Sequence, residues 1–161
     1  MTVIVADTSP INYLILIGES EVLKRLYRRV VIPEEVFIEL IDDGAPPEVR
    51  EWMNRHPDWI EIRRAPVRDA ALMELDPGEA AAISLAELET DVLLLIDEAA
   101  GRLEATRRGI PNAGTLGVLR TAAIERLIDL PSALDRLLTT NFRVSKALVA
   151  QLLAEDVLRK P

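Results

Sequence analysis

The chain of 161 residues has no cysteine, a single histidine and few aromatic residues. Without cysteine it can form neither disulfide bonds nor metal sites built on thiolates. The one histidine, His56, stands in a Trp-Met-Asn-Arg-His-Pro segment typical of a helix end near the surface, which disfavours Ser-His-Asp catalysis. Any chemistry must therefore come from other side chains.

The chain also lacks a long apolar run and an excess of positive charge. No apolar stretch approaches the roughly 18 residues of a membrane helix. The N-terminus starts as a strand without a basic leader, so we expect a cytoplasmic protein. The net charge of −8, from 19 Lys and Arg against 27 Asp and Glu, gives no general attraction for nucleic acid. A metal-loaded pocket or a local basic rim would have to supply that attraction.

What the sequence does contain is a full set of apolar residues in alternating strands and helices. Apolar residues make up 49% of the chain, and its length fits a single domain over residues 1–161. Helices are expected between the strands, with a further helix over residues 67–74. This alternation predicts an α/β fold with a central, mainly parallel sheet. The predicted strands are Val3–Ala6, 30–32, 60–62 at a sheet edge, 92–96 at the centre, and 110–113.

Two aspartates stand directly after two of these strands. Asp7 follows Val3–Ala6, and Asp97 follows residues 92–96. Parallel strands deliver such residues to the edge of the sheet where open α/β folds bind ligands. Adjacent strands lie ~4.8 Å apart, so the two carboxylates could share one cation. The alternative is that each aspartate only caps the helix that follows, a position that Asp favours.

Two glutamates occupy helical stretches that are otherwise apolar. Glu39 follows Val36 by three residues, which predicts a position on or near the buried stripe of its helix. A buried carboxylate without a partner is unfavourable and requires a cation. A glutamate on the helix face that reaches solvent is equally compatible with this spacing. Glu79 opens the helix 79–89, where a negative charge is favourable without any function.

If these four acids converge, they cannot all stay ionised without cations, which indicates divalent metal and phosphate chemistry. Two other classes with acidic pockets fit less well. A phosphorylatable receiver domain needs a second acid beside Asp7 and a lysine after the last strand. The residues before Asp7 are apolar, and no lysine occurs between Lys24 and Lys146. A phosphatase of the D-x-D type needs an acid at residue 9, which is Ser9.

Four short segments around these acids resemble the PIN-domain ribonuclease family. Residues 5–10 (VADTSP) are similar to the family's opening V-x-D-T-S, and residues 33–40 (PEEVFIEL) to its proline-led helix with the second acid. Residues 75–83 (LDPGEAAAI) and 94–98 (LLIDE) are similar to the segments that hold the third and fourth acids, although many relatives have Asp as the third acid. Residues 109–117 resemble one less characterised prokaryotic branch.

The resemblance implies a three-layer α/β/α fold and an endoribonuclease that depends on Mg²⁺ or Mn²⁺. Asp7, Glu39, Glu79 and Asp97 would be both the catalytic and the metal-binding residues. The ions would neutralise the scissile phosphate and lower the pKa of an attacking water. Many relatives are VapC-like toxins of toxin–antitoxin pairs, and many are homodimers. We therefore expect an RNA substrate, an antitoxin protein and a second copy of the chain as partners.

Four further polar residues are candidates for substrate binding. Thr8 and Ser9 offer hydroxyls to a carboxylate or a phosphate, and Thr115 lies just after the last strand. Helix capping explains these three residues equally well. Arg102 would either contact RNA phosphate or form a surface salt bridge with Glu98. The alternative function is a non-catalytic PIN-like module that binds a partner protein or RNA.

Overall fold

The computed structural model describes residues 1–66 and 70–161, and within them five short strands form one parallel sheet. The strands are β1 (Val3–Ala6), β2 (Val30–Pro33), β3 (Ile60–Arg63), β4 (Val92–Leu95) and β5 (Asn112–Ala113). Their order across the sheet is β3-β2-β1-β4-β5. In β1, Val5 pairs with Val31 on one side and with Leu94 on the other. The predicted α/β fold with a parallel sheet is confirmed.

Nine helices connect or flank these strands in the described part of the chain. They are α1 (Thr8–Leu16), α2 (Glu21–Tyr27), α3 (Glu34–Ile41), α4 (Pro47–Asn54), α5 (Pro77–Glu87), α6 (Ala99–Arg107), α7 (Thr115–Ile124), α8 (Leu130–Leu138) and α9 (Lys146–Arg159). The helix predicted over residues 67–74 is not found as such. A single 3₁₀ turn covers Ala70–Leu72, and residues 67–69 lie outside the described part.

Alternate side chains of the strands enter two separate hydrophobic cores. Ile4 and Ala6 of β1 lie in the larger core, whereas Val5 between them lies in the smaller one. This follows from the two-residue period of a strand, which sends neighbouring side chains to opposite faces. Helices α1, α3, α4, α7 and α8 cover the first face, and α5 covers the second with three alanines (Ala80, Ala82 and Ala86) that allow close packing. The result is three layers, α/β/α.

The strand order confirms one sequence expectation and corrects another. β3 is an edge strand, as predicted. β4 was predicted at the centre, but β1 is the middle strand and β4 is its neighbour. The long apolar run at residues 92–96 indicated a strand that helices cover on both faces. Both β1 and β4 are strands of this kind. The run therefore could not decide which of the two strands is central.

The pairing of β1 with β4 brings the two predicted aspartates to one edge of the sheet. The backbone N–H of Asp7 donates to the carbonyl oxygen of Leu95 at 2.9 Å, so the chain leaves both strands at the same level. α1 begins directly after Asp7, and α6 begins two residues after Asp97. Among the residues described, no helix is both long and apolar enough to cross a membrane.

Candidate active site

Asp7 is the buried centre of the candidate site. Only 4% of the residue is exposed, and its Oδ1 atom has no hydrogen-bond partner among the described residues. Although Asp7 stands at the N-cap position of α1, its side chain makes no capping hydrogen bond. Burial raises the pKa of Asp7 from 3.8 to about 7; a backbone hydrogen bond from Thr8 opposes this rise, and nearby carboxylates reinforce it. Capping therefore does not explain this carboxylate.

Glu79 and Asp76 stand together at the start of α5. Asp76 caps the helix, and its Oδ1 accepts from the backbone N–H groups of Gly78 at 2.8 Å and of Glu79 at 3.2 Å. Glu79 is 6% exposed. Burial raises the pKa of Glu79 to about 8, and a side-chain hydrogen bond with Asp76 and the charge of Asp7 act in the same direction. A favourable interaction with the helix dipole alone does not explain why this glutamate is buried and has a raised pKa.

Asp76 was missed as a site residue by the sequence analysis. Asp-Pro-Gly is a typical start of a helix, and the capping role that this pattern indicates is real. The same carboxylate also lies close enough to Asp7 and Glu79 to raise the pKa of each. The signal that could have identified it is its place three residues before Glu79, one helical turn away on the same helix end.

Glu39 reaches the site from α3, but not from a buried position. The residue is exposed, so of the two interpretations of its spacing the one that holds is a glutamate on the helix face that reaches solvent. Val36 and Leu40 form that stripe, and Glu39 projects beside it, at the rim where α3 meets α5. The Thr8 hydroxyl donates to Glu39 Oε2, and the charge of Glu39 helps to raise the pKa of Asp7. Its carboxylate therefore faces Asp7 from the solvent side.

Asp97 is held by three hydrogen bonds. Its Oδ1 accepts from the backbone N–H of Thr115 at 2.7 Å, and its Oδ2 accepts from the hydroxyls of Thr115 and Ser9, each at 2.7 Å. Asp97 was considered a cap for the helix that follows it, but Glu98 occupies that position before α6. Asp97 instead binds the first turn of α7, which lies 18 residues further along the chain.

Three of the chain's glycines leave room for these carboxylates. A Cβ atom on Gly78 would stand 2.8 Å from Glu39 Oε2 and 3.2 Å from Asp7 Oδ1. A Cβ on Gly114 would stand 2.6 Å from Asp97 Oδ1, and one on Gly101 would stand 3.4 Å from Glu79 Oε2. Side chains at these positions would fill the space around the acids.

The predicted acids thus surround one site, without forming a finished coordination sphere. The charges of Glu39 and Asp97 act on Asp7, and the charge of Asp7 acts on Glu79. Within residues 1–66 and 70–161, no three Asp, Glu or His side chains stand close enough to form a ready set of metal ligands. The unpartnered Asp7 oxygen, and the oxygens of Asp7 and Glu39 that close in on the bare backbone of Gly78, nevertheless fit a cation with oxygen ligands, such as Mg²⁺ or Mn²⁺.

The four predicted substrate-binding residues divide into two groups. The hydroxyls of Thr8, Ser9 and Thr115 all donate to site carboxylates, and Thr115 is fully buried. The hydroxyl groups of these three residues are therefore already engaged in hydrogen bonds within the protein. Arg102 is exposed beside Asp97, and its Nε donates to Asn112 Oδ1 at 3.2 Å rather than pairing with Glu98. It is the one of the four whose charge faces solvent.

Comparison with known proteins agrees with this arrangement. The family model DUF3368, described as a PIN domain, matches residues 3–156. No curated protein and no solved structure matches the chain. PIN domains are typically nucleases, they act on RNA, and they generally use divalent metal ions. Because the match spans almost the whole sequence and the fold has the expected parallel sheet, the chain belongs to the PIN-domain family.

Proposed function

We propose that this protein is an endoribonuclease that depends on Mg²⁺ or Mn²⁺ and hydrolyses RNA phosphodiester bonds. Asp7, Glu39, Glu79 and Asp97 are the catalytic and metal-binding residues in this proposal. The observation that carries it is the Asp7 carboxylate, buried and with an unpartnered oxygen at the centre of other acids. Such a group is stable in its ionised form only beside a cation.

The four carboxylates supply oxygen ligands, which suit hard divalent cations. When bound, such an ion would neutralise the scissile phosphate and lower the pKa of an attacking water. The protein's own part is to hold the ligands in place. Ser9 and Thr115 fix both oxygens of Asp97, and Thr8 fixes Glu39, so these hydroxyls orient ligands instead of binding substrate. Arg102 is placed to contact a phosphate next to the site.

The biological setting is part of the same proposal and rests on the resemblance to toxin nucleases. We propose that the chain is a single PIN-like domain, acts as the toxin of a toxin–antitoxin pair, and forms a homodimer. An antitoxin would inhibit it by covering the acidic site. Sedimentation of the purified protein, alone and with the product of a neighbouring gene, tests these two assemblies.

The test of the activity compares Asp97→Asn with Asp91→Asn. Asp97 lies beyond the C-terminal end of β4, whereas Asp91 precedes the strand, where it accepts from the Thr2 hydroxyl. Random-sequence single-stranded RNA is incubated with each protein and with Mn²⁺, Mg²⁺ or EDTA. We expect Asp97→Asn to cleave at least about 100-fold more slowly than the parent. Asp91→Asn should match the parent, and EDTA should stop all cleavage.

The fold of Asp97→Asn should remain intact, because an Asn oxygen can still accept from the Thr115 N–H and the Thr115 and Ser9 hydroxyls can rotate to accept from its amide. Equal cleavage by this variant and the parent would refute the role of Asp97. Two measurements separate the non-catalytic alternative. Calorimetric titration with Mn²⁺ should detect an ion at the four acids of a nuclease but none in a pure binding module. Such a module could bind RNA or a protein, but it would leave RNA uncut with metal present.

A further inference from the structure

A wide groove runs from Asp97 along the side of the molecule where α9 begins. It has a volume of about 720 Å³, within the range of ordinary ligand sites. Its walls come from α1, α6, β5 and the segment between α8 and α9. We propose that this groove binds an unpaired RNA nucleotide adjacent to the cleaved bond. The proposal rests on the ribonuclease function above and adds to it the path that the substrate takes beside the acids.

The first observation is a pair of aromatic rings in the groove wall. The chain has only two Tyr and two Phe, and one of each, Tyr13 and Phe142, lines this groove. Their centroids are 4.9 Å apart at an interplanar angle of 79°, and the Tyr13 hydroxyl lies 2.6 Å from Asn141 Oδ1. Both rings are half-buried and thus held while partly open. Proteins bind unpaired bases by stacking them on aromatic rings fixed in this way.

The second observation is two arginines whose charge is not neutralised by the protein. Arg102 and Arg143 line the groove and are exposed, and within the described residues neither forms an ion pair. Other exposed arginines do contact a carboxylate, as Arg120 contacts Glu155 at 2.7 Å. The remaining charged residues that line the groove are Asp97 of the site and Glu98. Two free guanidinium groups beside a stacking surface match the phosphates that flank a nucleotide.

A second cavity lies on the opposite side of the acids, and the charged residues that line it are all negative. It is lined by Thr8, Glu39 and Gly78 of the site and has a volume of about 560 Å³. The charged residues that line it are Glu35, Glu39 and Asp42, all acidic. Phosphates are repelled there, so an RNA strand at the acids extends along the arginine side. The asymmetry of the two cavities defines the direction in which the substrate continues.

Duplex RNA does not suit this arrangement. In a duplex the bases are stacked on each other and their faces are not available to Tyr13 and Phe142. The groove therefore selects single-stranded segments, loops or ends. The selection depends on side chains that lie about 130 positions apart in sequence but in contact in space.

The test measures binding of a fluorescein-labelled 12-nucleotide single-stranded RNA by anisotropy, with Mn²⁺ present. The full chain carries Glu79→Gln, which stops cleavage under the proposed function without touching the groove. Phe142→Leu keeps apolar volume but removes the stacking ring, and we expect it to weaken binding about tenfold. Arg143→Ala should reduce the slope of log K against log salt by about 0.7, as for one lost phosphate contact with single-stranded RNA.

Two controls make these results specific. Arg25→Ala removes an exposed arginine on α2, outside the groove, and should leave affinity and salt slope unchanged. Arg143→Lys keeps the charge and should restore most of the salt slope. An unlabelled duplex of the same sequence should compete poorly. Thermal unfolding of each variant checks that the fold is intact.

The results distinguish this inference from the proposed function. If the parent chain cuts RNA but Phe142→Leu and Arg143→Ala bind like Arg25→Ala, the groove is not the RNA path while the nuclease function stands. Equal competition by duplex RNA also overturns the inference. If the chain binds RNA through the groove residues but the parent does not cut it, the nuclease function fails. Absence of RNA binding by any form overturns the groove proposal.

Discussion

At the scale of single residues, the state of Asp7 couples the stability of the protein to pH. In the folded chain its pKa is raised from 3.8 to about 7, chiefly by burial. The folded state therefore keeps a proton that the unfolded state releases above pH 3.8. By linkage, the free energy of unfolding falls as pH rises from 3.8 to 7, by roughly 4 kcal/mol in total, and stays low above it. The stabilising state is the protonated one.

We therefore predict that Asp7→Asn removes this pH dependence. In buffer with EDTA, the parent should lose stability between pH 4 and pH 7, whereas the variant should lose less, by the share that Asp7 contributes. The variant keeps the loss due to Glu79, whose pKa burial raises to about 8. At pH 8 the variant should be the more stable protein, by up to roughly 4 kcal/mol. Urea unfolding at several pH values measures this difference, with Asp91→Asn as the control. If the free energy of unfolding changed with pH in the same way for the parent and for Asp7→Asn, then Asp7 would be ionised in the folded state without a cost in stability.

Thr115 offers a second test at this scale, because its hydroxyl serves only Asp97. We predict that Thr115→Val lowers metal affinity and cleavage about 10–100-fold, as loss of a residue that orients a ligand does. The backbone bond from Thr115 to Asp97 remains, so stability should fall by only about 1 kcal/mol. Thr121→Val on the same helix is the matched control, since its hydroxyl donates to the Gly117 carbonyl. Equal losses in both variants would indicate a general effect on α7.

At the scale of elements, local sequence signals predict where strands begin and end. The exposure and contacts of individual side chains depend instead on residues that are distant in sequence. The bounds predicted for β1, Val3–Ala6, agree with the structure residue for residue, because an apolar run and the aspartate that ends it act within a few positions. The exposure of Glu39 and the second role of Asp76 depend on how α3 and α5 meet. A helical period says which residues share a face, but it does not say which neighbour covers that face.

The start of α5 allows a prediction that separates fold from site. Gly78→Ala would place a Cβ 2.8 Å from Glu39 Oε2, the mobile end of a long side chain, and 3.2 Å from Asp7 Oδ1. The helix should tolerate or gain from alanine, by up to about 1 kcal/mol. The carboxylates, however, must move apart. We expect unchanged or higher thermal stability in EDTA together with a loss of Mn²⁺ binding and RNA cleavage.

Gly44→Ala is the control for this variant. Its Cβ would stand 3.0 Å from Asp42 Oδ2, a carboxylate outside the four proposed ligands. The same crowding of an acid by a methyl group is thus created at a carboxylate that the proposed metal site does not use. Cleavage by Gly44→Ala should equal that of the parent. If Gly78→Ala also cut RNA at the parental rate, the close approach of Gly78 to Asp7 and Glu39 would have no functional meaning.

At the scale of the whole molecule, the class of fold could be read from the alternation of strands and helices, but the shape around the site could not. Asp7, Glu79 and Asp97 were predicted because each lies near a recognisable strand end or helix start, and Glu39 was predicted from its helical spacing to Val36. The groove beside Asp97 is different, because it joins Tyr13, Arg102 and Phe142 from three distant parts of the chain. Arg102 was a candidate from the sequence, but no local pattern marks Tyr13 or Phe142, and only the packing of α9 and its preceding segment brings the three residues together.

The global charge leads to the last prediction, which concerns the effect of metal on the entire fold. A net charge of −8 and raised pKa values at Asp7 and Glu79 mean that the metal-free protein carries unfavourable negative charge at one point. A cation that binds only the folded state should stabilise it by about 2.7 kcal/mol at a hundredfold excess over its Kd. For a chain of this size that corresponds to a rise in Tm of roughly 5–10 °C. The rise should be larger at pH 8 than at pH 5, because protons compete with the ion for Asp7 and Glu79.

Differential scanning calorimetry with Mn²⁺ and with EDTA measures this rise in Tm. Asp7→Asn should lose most of the rise, whereas Asp91→Asn should keep it. A rise of equal size in the parent and in Asp7→Asn would show that Mn²⁺ stabilises the protein at some other acidic surface.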